Sequence, residues 1–162
     1  AFASNLPAPY PYWFLMPWVF MGGVGATLAL NVLMIIKSKH TSTKTLGKLA
    51  LMTSLFNINE PLIYGFPIVF NPFMFIPFTS IPLINLLICI IFMKLIPIVP
   101  FPTGAEISTY MPFGVGAMLT NNSWLGLLLC IGILIVDMCL YYPFFINYEK
   151  NNNHIMFNKN KK

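Results

Sequence analysis

Arginine is absent: all nine basic residues are lysine. The chain therefore has no planar guanidinium fork for phosphate or guanine, and its net charge of +5 does not point to nucleic acid. Charge of either sign is scarce, at 8% of residues, against about 25% in a soluble domain. With 57% hydrophobic residues, too few charges remain to cover a soluble globule, and so apolar a chain does not stay disordered in water. An integral membrane protein remains. From Leu49 to Tyr148 the only charged residues are Glu60, Lys94, Glu106 and Asp137. The three cysteines, Cys89, Cys130 and Cys139, sit in apolar runs with no C-x-x-C spacing and no neighbouring histidine, so they read as packing thiols. No H-E-x-x-H and no Ser, His and Asp arrangement is recognisable. Gly22-Gly23-Val24-Gly25-Ala26 lacks the lysine of a phosphate loop. No cofactor or metal is expected, and the chain reads as a binding and translocating element, not an enzyme on its own.

What is present is a series of apolar stretches, several of them broken. Residues 1–12 are Pro-rich and aromatic, as suits a membrane interface, and lack the basic start of a signal peptide. Ala1 is not a start methionine, so a fragment or truncated product is expected. Trp13 to Ile36 carries no charge and predicts a spanning helix, with Gly22, Gly23, Gly25 and Ala26 read as close helix packing. Lys37 to Lys48 is polar and basic and is placed in the cytoplasm. Leu49 to Phe70 is interrupted by Asn57, Asn59, Glu60, Pro61, Gly65 and Pro67, which predicts two half-helices meeting in a re-entrant hairpin with its tip near Asn57 to Pro61. Phe73 to Ile96 predicts a span kinked at Pro77 and Pro82, with Lys94 snorkelling at its end. Ile98 to Asn122, rich in Pro and Gly, predicts a second hairpin, and Trp124 to Ile146 another span bracketed by Trp124 and Tyr141–Tyr142. The expected fold class is thus all-α integral membrane, about three spanning helices plus two re-entrant hairpins. The transmembrane domain is drawn over residues 1–150 and a polar basic cytoplasmic tail over 151–162. Both lysine clusters then face the cytoplasm, and two broken segments meet near mid-membrane, a common way to build a transport site.

Glu60 is the sharpest chemical signal, because an ionisable residue in a membrane segment is a functional candidate by default. Its carboxylate accepts hydrogen bonds, and the amides of Asn57 and Asn59 both donate and accept, a set that can bind sugar hydroxyls. The competing reading is an interfacial loop acid meeting water or a half-helix N-terminus. Asp137, deep in the last span, is expected to partner Ser, Thr or backbone groups. Glu106 is read as either a solvated loop acid or a residue at the site entrance. His40 and His154 fall in solvated polar segments.

The run Phe56-Asn57-Ile58-Asn59-Glu60-Pro61-Leu62-Ile63-Tyr64-Gly65-Phe66-Pro67 through Asn71-Pro72 closely resembles the signature of the membrane IIC component of bacterial sugar phosphotransferase systems, in the lactose, cellobiose and diacetylchitobiose branch. Gly22-Gly23-Val24-Gly25-Ala26-Thr27-Leu28, Met111-Pro112-Phe113-Gly114-Val115-Gly116-Ala117, and Asp137 through Tyr141-Tyr142-Pro143 resemble other pieces of that family in order. The resemblance implies a multi-pass permease of the bacterial cell membrane with a cytoplasmic C-terminus. Such a permease binds a β-linked disaccharide and carries it inward for phosphorylation by a IIB phosphocarrier. It implies that Glu60 contacts the sugar, that Asn57 and Asn59 shape the hairpin tip, and that Pro61, Asn71, Glu106 and Pro112 belong to the hairpins or line the site. It also implies that the chain matches only the C-terminal part of the family, without the dimerising helices and an upstream site histidine. A homodimer is expected only with those helices present, and membrane lipid is the remaining partner. Ser108, Thr109 and Tyr110 stand where the family usually shows Pro-Trp-Thr. Two alternatives are an inactive truncated remnant of such a permease and an ion-coupled secondary transporter using Glu60 as a proton site.

Overall fold

The computed structural model describes residues 16–68, 71–100 and 111–159, with side chains described as far as Lys150. Among these residues every regular element is helical. The order is α1 (Met16–Val19), α2 (Leu28–Lys37), α3 (Thr41–Leu55), α4 (Glu60–Gly65), α5 (Pro72–Ile90), α6 (Val115–Asn121) and α7 (Trp124–Lys159), with a π-helical turn (Ile91–Leu95) extending α5. Two stretches are long and apolar enough to cross a bilayer, Pro72–Leu95 with 24 residues and Trp124–Lys150 with 27. At about 1.5 Å rise per residue each exceeds a hydrocarbon core of about 30 Å.

The helix expected over Trp13 to Ile36 is divided. α1 gives way to an irregular loop, residues 20–27, before α2 resumes. The backbone explains the interruption: Gly22, Gly23 and Gly25 hold φ of +76°, +95° and +85°, and Ala26 holds +52°. These values lie outside the right-handed helix. The break between α3 and α4, by contrast, falls where the sequence places it.

Two polar segments are more helical than the composition suggests. The basic stretch Lys37 to Lys48, for which the composition suggests no helix, is turned into α3 from Thr41 onward. Gly47, Ala50 and Ser54 form its buried stripe, and Lys44 and Lys48 stay exposed. α7 also passes Asn147 and Lys150 without interruption to Lys159, across the boundary drawn for a separate tail. The α2–α3 turn is tied directly to this helix. Glu149, buried, accepts from the Ser38 hydroxyl and from the Lys39 backbone N–H at 3.1 and 3.2 Å. The turn therefore sits beside Glu149, so Lys39 and Lys150 lie at the same end of the bundle.

Helix ends follow their local chemistry. Asn71 caps α5, its Oδ1 accepting from Phe73 N at 3.0 Å, with Pro72 in the first turn. Pro77 and Pro82 lie inside a helix that continues through both. Asn122 closes α6 at φ +48°, and Ser123 Oγ accepts from Leu125 N at 3.2 Å to start α7. Of the stretch Ile98 to Asn122, expected as a second hairpin, residues 98–100 and 111–122 are described, and residues 101–110 lie outside the described residues.

Packing forms two apolar clusters. One gathers Leu30, Leu33, Met34, Ala50, Leu62, Phe66, Tyr141 and Phe145 around α2, α3, α4 and α7. The other gathers Trp18, Met21, Cys89, Met93, Cys130 and Ile133 around α1, α5 and α7. Small residues permit the closest approach: a Cβ on Gly126 of α7 would lie 2.7 Å from the Ala117 carbonyl oxygen of α6. Trp18 Nε1 donates to the Gly126 carbonyl at 3.0 Å, locking α1 at the same place.

Gly126→Ala therefore forces α6 away from α7 and is expected to cost about 1–3 kcal/mol. Gly132→Ala, whose Cβ meets nothing within 4 Å, is expected to gain up to about 1 kcal/mol by helix propensity. Thermal unfolding in detergent, followed by circular dichroism, separates the two.

Candidate functional site

The site grows from two interruptions that satisfy each other. Backbone groups freed from helical bonding inside an apolar bundle need partners. At the α3–α4 break Asn57 takes φ +61°, a conformation asparagine tolerates, and its Oδ1 accepts from the Gly22 N–H at 2.9 Å. Asn59 Nδ2 donates to the Val24 carbonyl at 2.7 Å and to Thr27 Oγ1 at 3.0 Å. The Thr27 hydroxyl in turn donates a hydrogen bond to the Gly22 carbonyl at 2.8 Å. Gly23 lies directly under Asn59: a Cβ there would stand 2.5 Å from Asn59 Cγ. From α7 the Tyr141 hydroxyl donates to the Gly25 carbonyl. The glycines thus do provide close packing, as the sequence suggests, but within an unwound loop and not along a helix face.

Between the loop and the break lies a cleft of about 260 Å³ lined by Met16, Phe20, Gly23, Val24, Asn57, Asn59 and Glu60. Glu60 opens α4 and is exposed, with Pro61, also exposed, behind it in the first turn. The acid expected within a membrane segment thus stands at the mouth of a cleft, at a half-helix N-terminus. One wall is apolar, one is loop and amide, and the rim carries a carboxylate that only accepts hydrogen bonds. That combination suits a ligand with C–H faces and hydroxyl edges. A second groove, about 440 Å³ between α5 and α7, is lined by Ile88, Phe92, Leu125, Leu128 and Val136 among others and offers no side chain that could orient a polar ligand.

The sequence-derived candidates divide by position. Glu60, Asn57 and Asn59 come together on the cleft. Pro112 lies beside Asn57 in a narrow adjoining cavity with Phe113, Gly114 and Gly116. There the Phe113 N–H donates to the Leu55 carbonyl at 2.8 Å, so the second broken segment touches the end of α3. Asn71 serves as the α5 cap and is not in the cleft lining. Glu106 lies outside the described residues. Asp137 is fully buried and takes its hydrogen bond from Asn85, at 3.0 Å, instead of from Ser or Thr. Gly23, Val24, Met16 and Phe20 line the cleft without having been singled out for it. The cluster of glycines was the available signal.

Asn59→Asp removes both N–H donors and sets a carboxylate against the Val24 carbonyl. It is expected to destabilise the fold by about 1–3 kcal/mol. Glu60→Gln, on an exposed side chain, should stay within about 0.5 kcal/mol of wild type. Thermal melts of the two variants in the same detergent check the contrast.

Residues 8–82 match the family described as "Phosphotransferase system, EIIC". The chain is 38% identical over 148 residues to the lichenan permease IIC component of Bacillus subtilis, covering 91% of this chain and 32% of that relative. It is 34% identical over 148 residues to the cellobiose-specific EIIC component of Geobacillus stearothermophilus, covering 91% and 33%. The crystal structure of ChbC, the IIC component of an N,N'-diacetylchitobiose-specific phosphotransferase system, superposes with a TM-score of 0.84 at 31% identity, over 91% of this chain and 34% of that one. The chain spans about a third of the length of the curated relatives it matches. With its all-helical architecture, two bilayer-length helices among the described residues and its joined Gly-Gly-Val-Gly and Asn-Ile-Asn-Glu-Pro segments, the chain is similar over most of its length to a part of the phosphotransferase-system IIC membrane permease components.

Proposed function

We propose that this chain forms the sugar-binding part of a phosphotransferase-system IIC permease, which takes up a β-linked disaccharide for phosphorylation by a IIB partner. The observation that carries the reading is the Glu60 carboxylate at the rim of the cleft, opposite the glycine loop. The carboxylate accepts from the sugar hydroxyls, and Phe20 and Met16 meet the C–H face of a ring. Asn57 and Asn59 act chiefly by holding the loop, through their hydrogen bonds to Gly22, Val24 and Thr27. Pro61 and Pro112 shape the two breaks. Asn71 contributes as a cap, and Glu106 is retained as an entrance residue.

The shared end of Lys39 and Lys150 supports a cytoplasmic C-terminus, because basic residues flanking spans favour that side. A IIB phosphocarrier would approach from the same side. The exposed apolar faces of α5 and α7 carry Leu83, Leu87, Leu128 and Ile135, and they suit lipid or the further helices that the longer relatives possess. A homodimer would be built through such additional helices.

Glu60→Gln is expected to weaken binding of radiolabelled cellobiose or diacetylchitobiose at least tenfold, as loss of a charge-assisted hydrogen bond of about 1.5–3 kcal/mol implies. Equilibrium binding to purified protein in lipid nanodiscs reads this. Wild-type affinity in the variant, with wild-type melting, overturns the assignment.

A further inference from the structure

Asp137 of α7 and Asn85 of α5 face each other, both fully buried. Asn85 Nδ2 donates to Asp137 Oδ2 at 3.0 Å and reaches toward the Val19 carbonyl at 3.5 Å. The two N–H bonds of that amide are then engaged. Asp137 Oδ1 and Asn85 Oδ1 are left as two buried acceptors without a donor, on the same two facing side chains. A bare carboxylate here would be an uncompensated charge in an apolar bundle, an expensive state.

Among the described residues, no cation on the elements packed around this pair faces it. α1 and α6 carry no titratable side chain. α5 contributes Cys89, and α7 contributes Cys130 and Tyr141. Lys37, the one charged residue of α2, lies at the helix end, 6.0 Å from the Tyr142 ring centroid. Lys94 belongs to the π-turn beyond α5. One hydrogen atom resolves both unpartnered oxygens.

We propose that Asp137 is a proton-binding site. A proton taken from water bonds to Oδ1, and the resulting O–H donates to Asn85 Oδ1. Acid and amide then form a closed two-bond pair joining α7 to α5, with no covalent bond broken in the protein. Asn85 also reaches the Val19 carbonyl on one side of residues 20–27, and Tyr141, one turn along α7 from Asp137, donates to the Gly25 carbonyl on the other. The protonation does not rest on the proposed sugar site.

Asp137 is the one aspartate of the sequence, so ¹³C-labelling of the aspartate side-chain carboxyl, read by infrared or solid-state NMR in nanodiscs, addresses it directly. The expected result is a protonated-acid signal at neutral pH that disappears in Asp137→Asn. That variant replaces the O–H donor by an N–H and should melt within a few degrees of wild type. A carboxylate signal at neutral pH, or an Asp137→Asn protein that no longer folds, overturns the proposal. Failure of the Glu60 binding test leaves the carboxyl signal unaffected.

Discussion

One side-chain amide joins the two irregular segments of this bundle. Asn59 reaches from the α3–α4 break into the glycine loop and fills the need of the Val24 carbonyl and the Thr27 hydroxyl together. Without it, unwound backbone would stand among apolar side chains with no partner, at a cost of about 1–3 kcal/mol for each orphaned group. Asn57 repeats the logic from the opposite side by accepting from Gly22. The cleft lies where the two interruptions are paired. The absence of a side chain at Gly23 is part of the same constraint, since any Cβ there would occupy the space of the Asn59 amide.

The long last helix is the frame on which this pairing is mounted. Along α7, Gly126 receives Trp18, Asp137 faces Asn85, Tyr141 grips the loop, and Glu149 closes the α2–α3 turn. Each of these is a polar contact made across an otherwise apolar interface. In lipid, where burial of apolar surface gives little drive for helix association, such contacts together with close approach by small residues determine which faces meet.

The α3–α4 break was legible because asparagine, a carboxylate and proline within an apolar run contradict a continuous helix in a way that no packing can repair. The membrane class and the last two long helices were legible from charge scarcity and run length. The glycine loop was not, since glycines in an apolar stretch are equally suited to helix contact, and the positive φ values arise only once Asn57, Asn59 and Tyr141 are in place. The start of α3, ahead of the half-helix expected from Leu49, was hidden because its buried stripe is Gly47, Ala50 and Ser54, residues too small or polar to register as an apolar period. The partner of Asp137 was hidden by distance along the chain. Nothing local to residue 137 indicates an amide 52 positions earlier. The reach of α7 beyond Lys150 was masked by an asparagine-rich composition that ordinarily marks the end of a helix.

The Glu149 contact has a consequence for biosynthesis. The carboxylate that closes the Ser38–Lys39 turn lies 110 and more positions downstream, and the hydroxyl that holds Gly25 lies 116 positions downstream. While the ribosome is still translating the middle of the chain, the early segments already occupy the translocon with carbonyls and amides that have no permanent partner. Their final arrangement is set only once α7 has been made, so a nascent chain arrested before Tyr141 would hold the loop through Asn57 and Asn59 alone, without the hydroxyl that bonds Gly25.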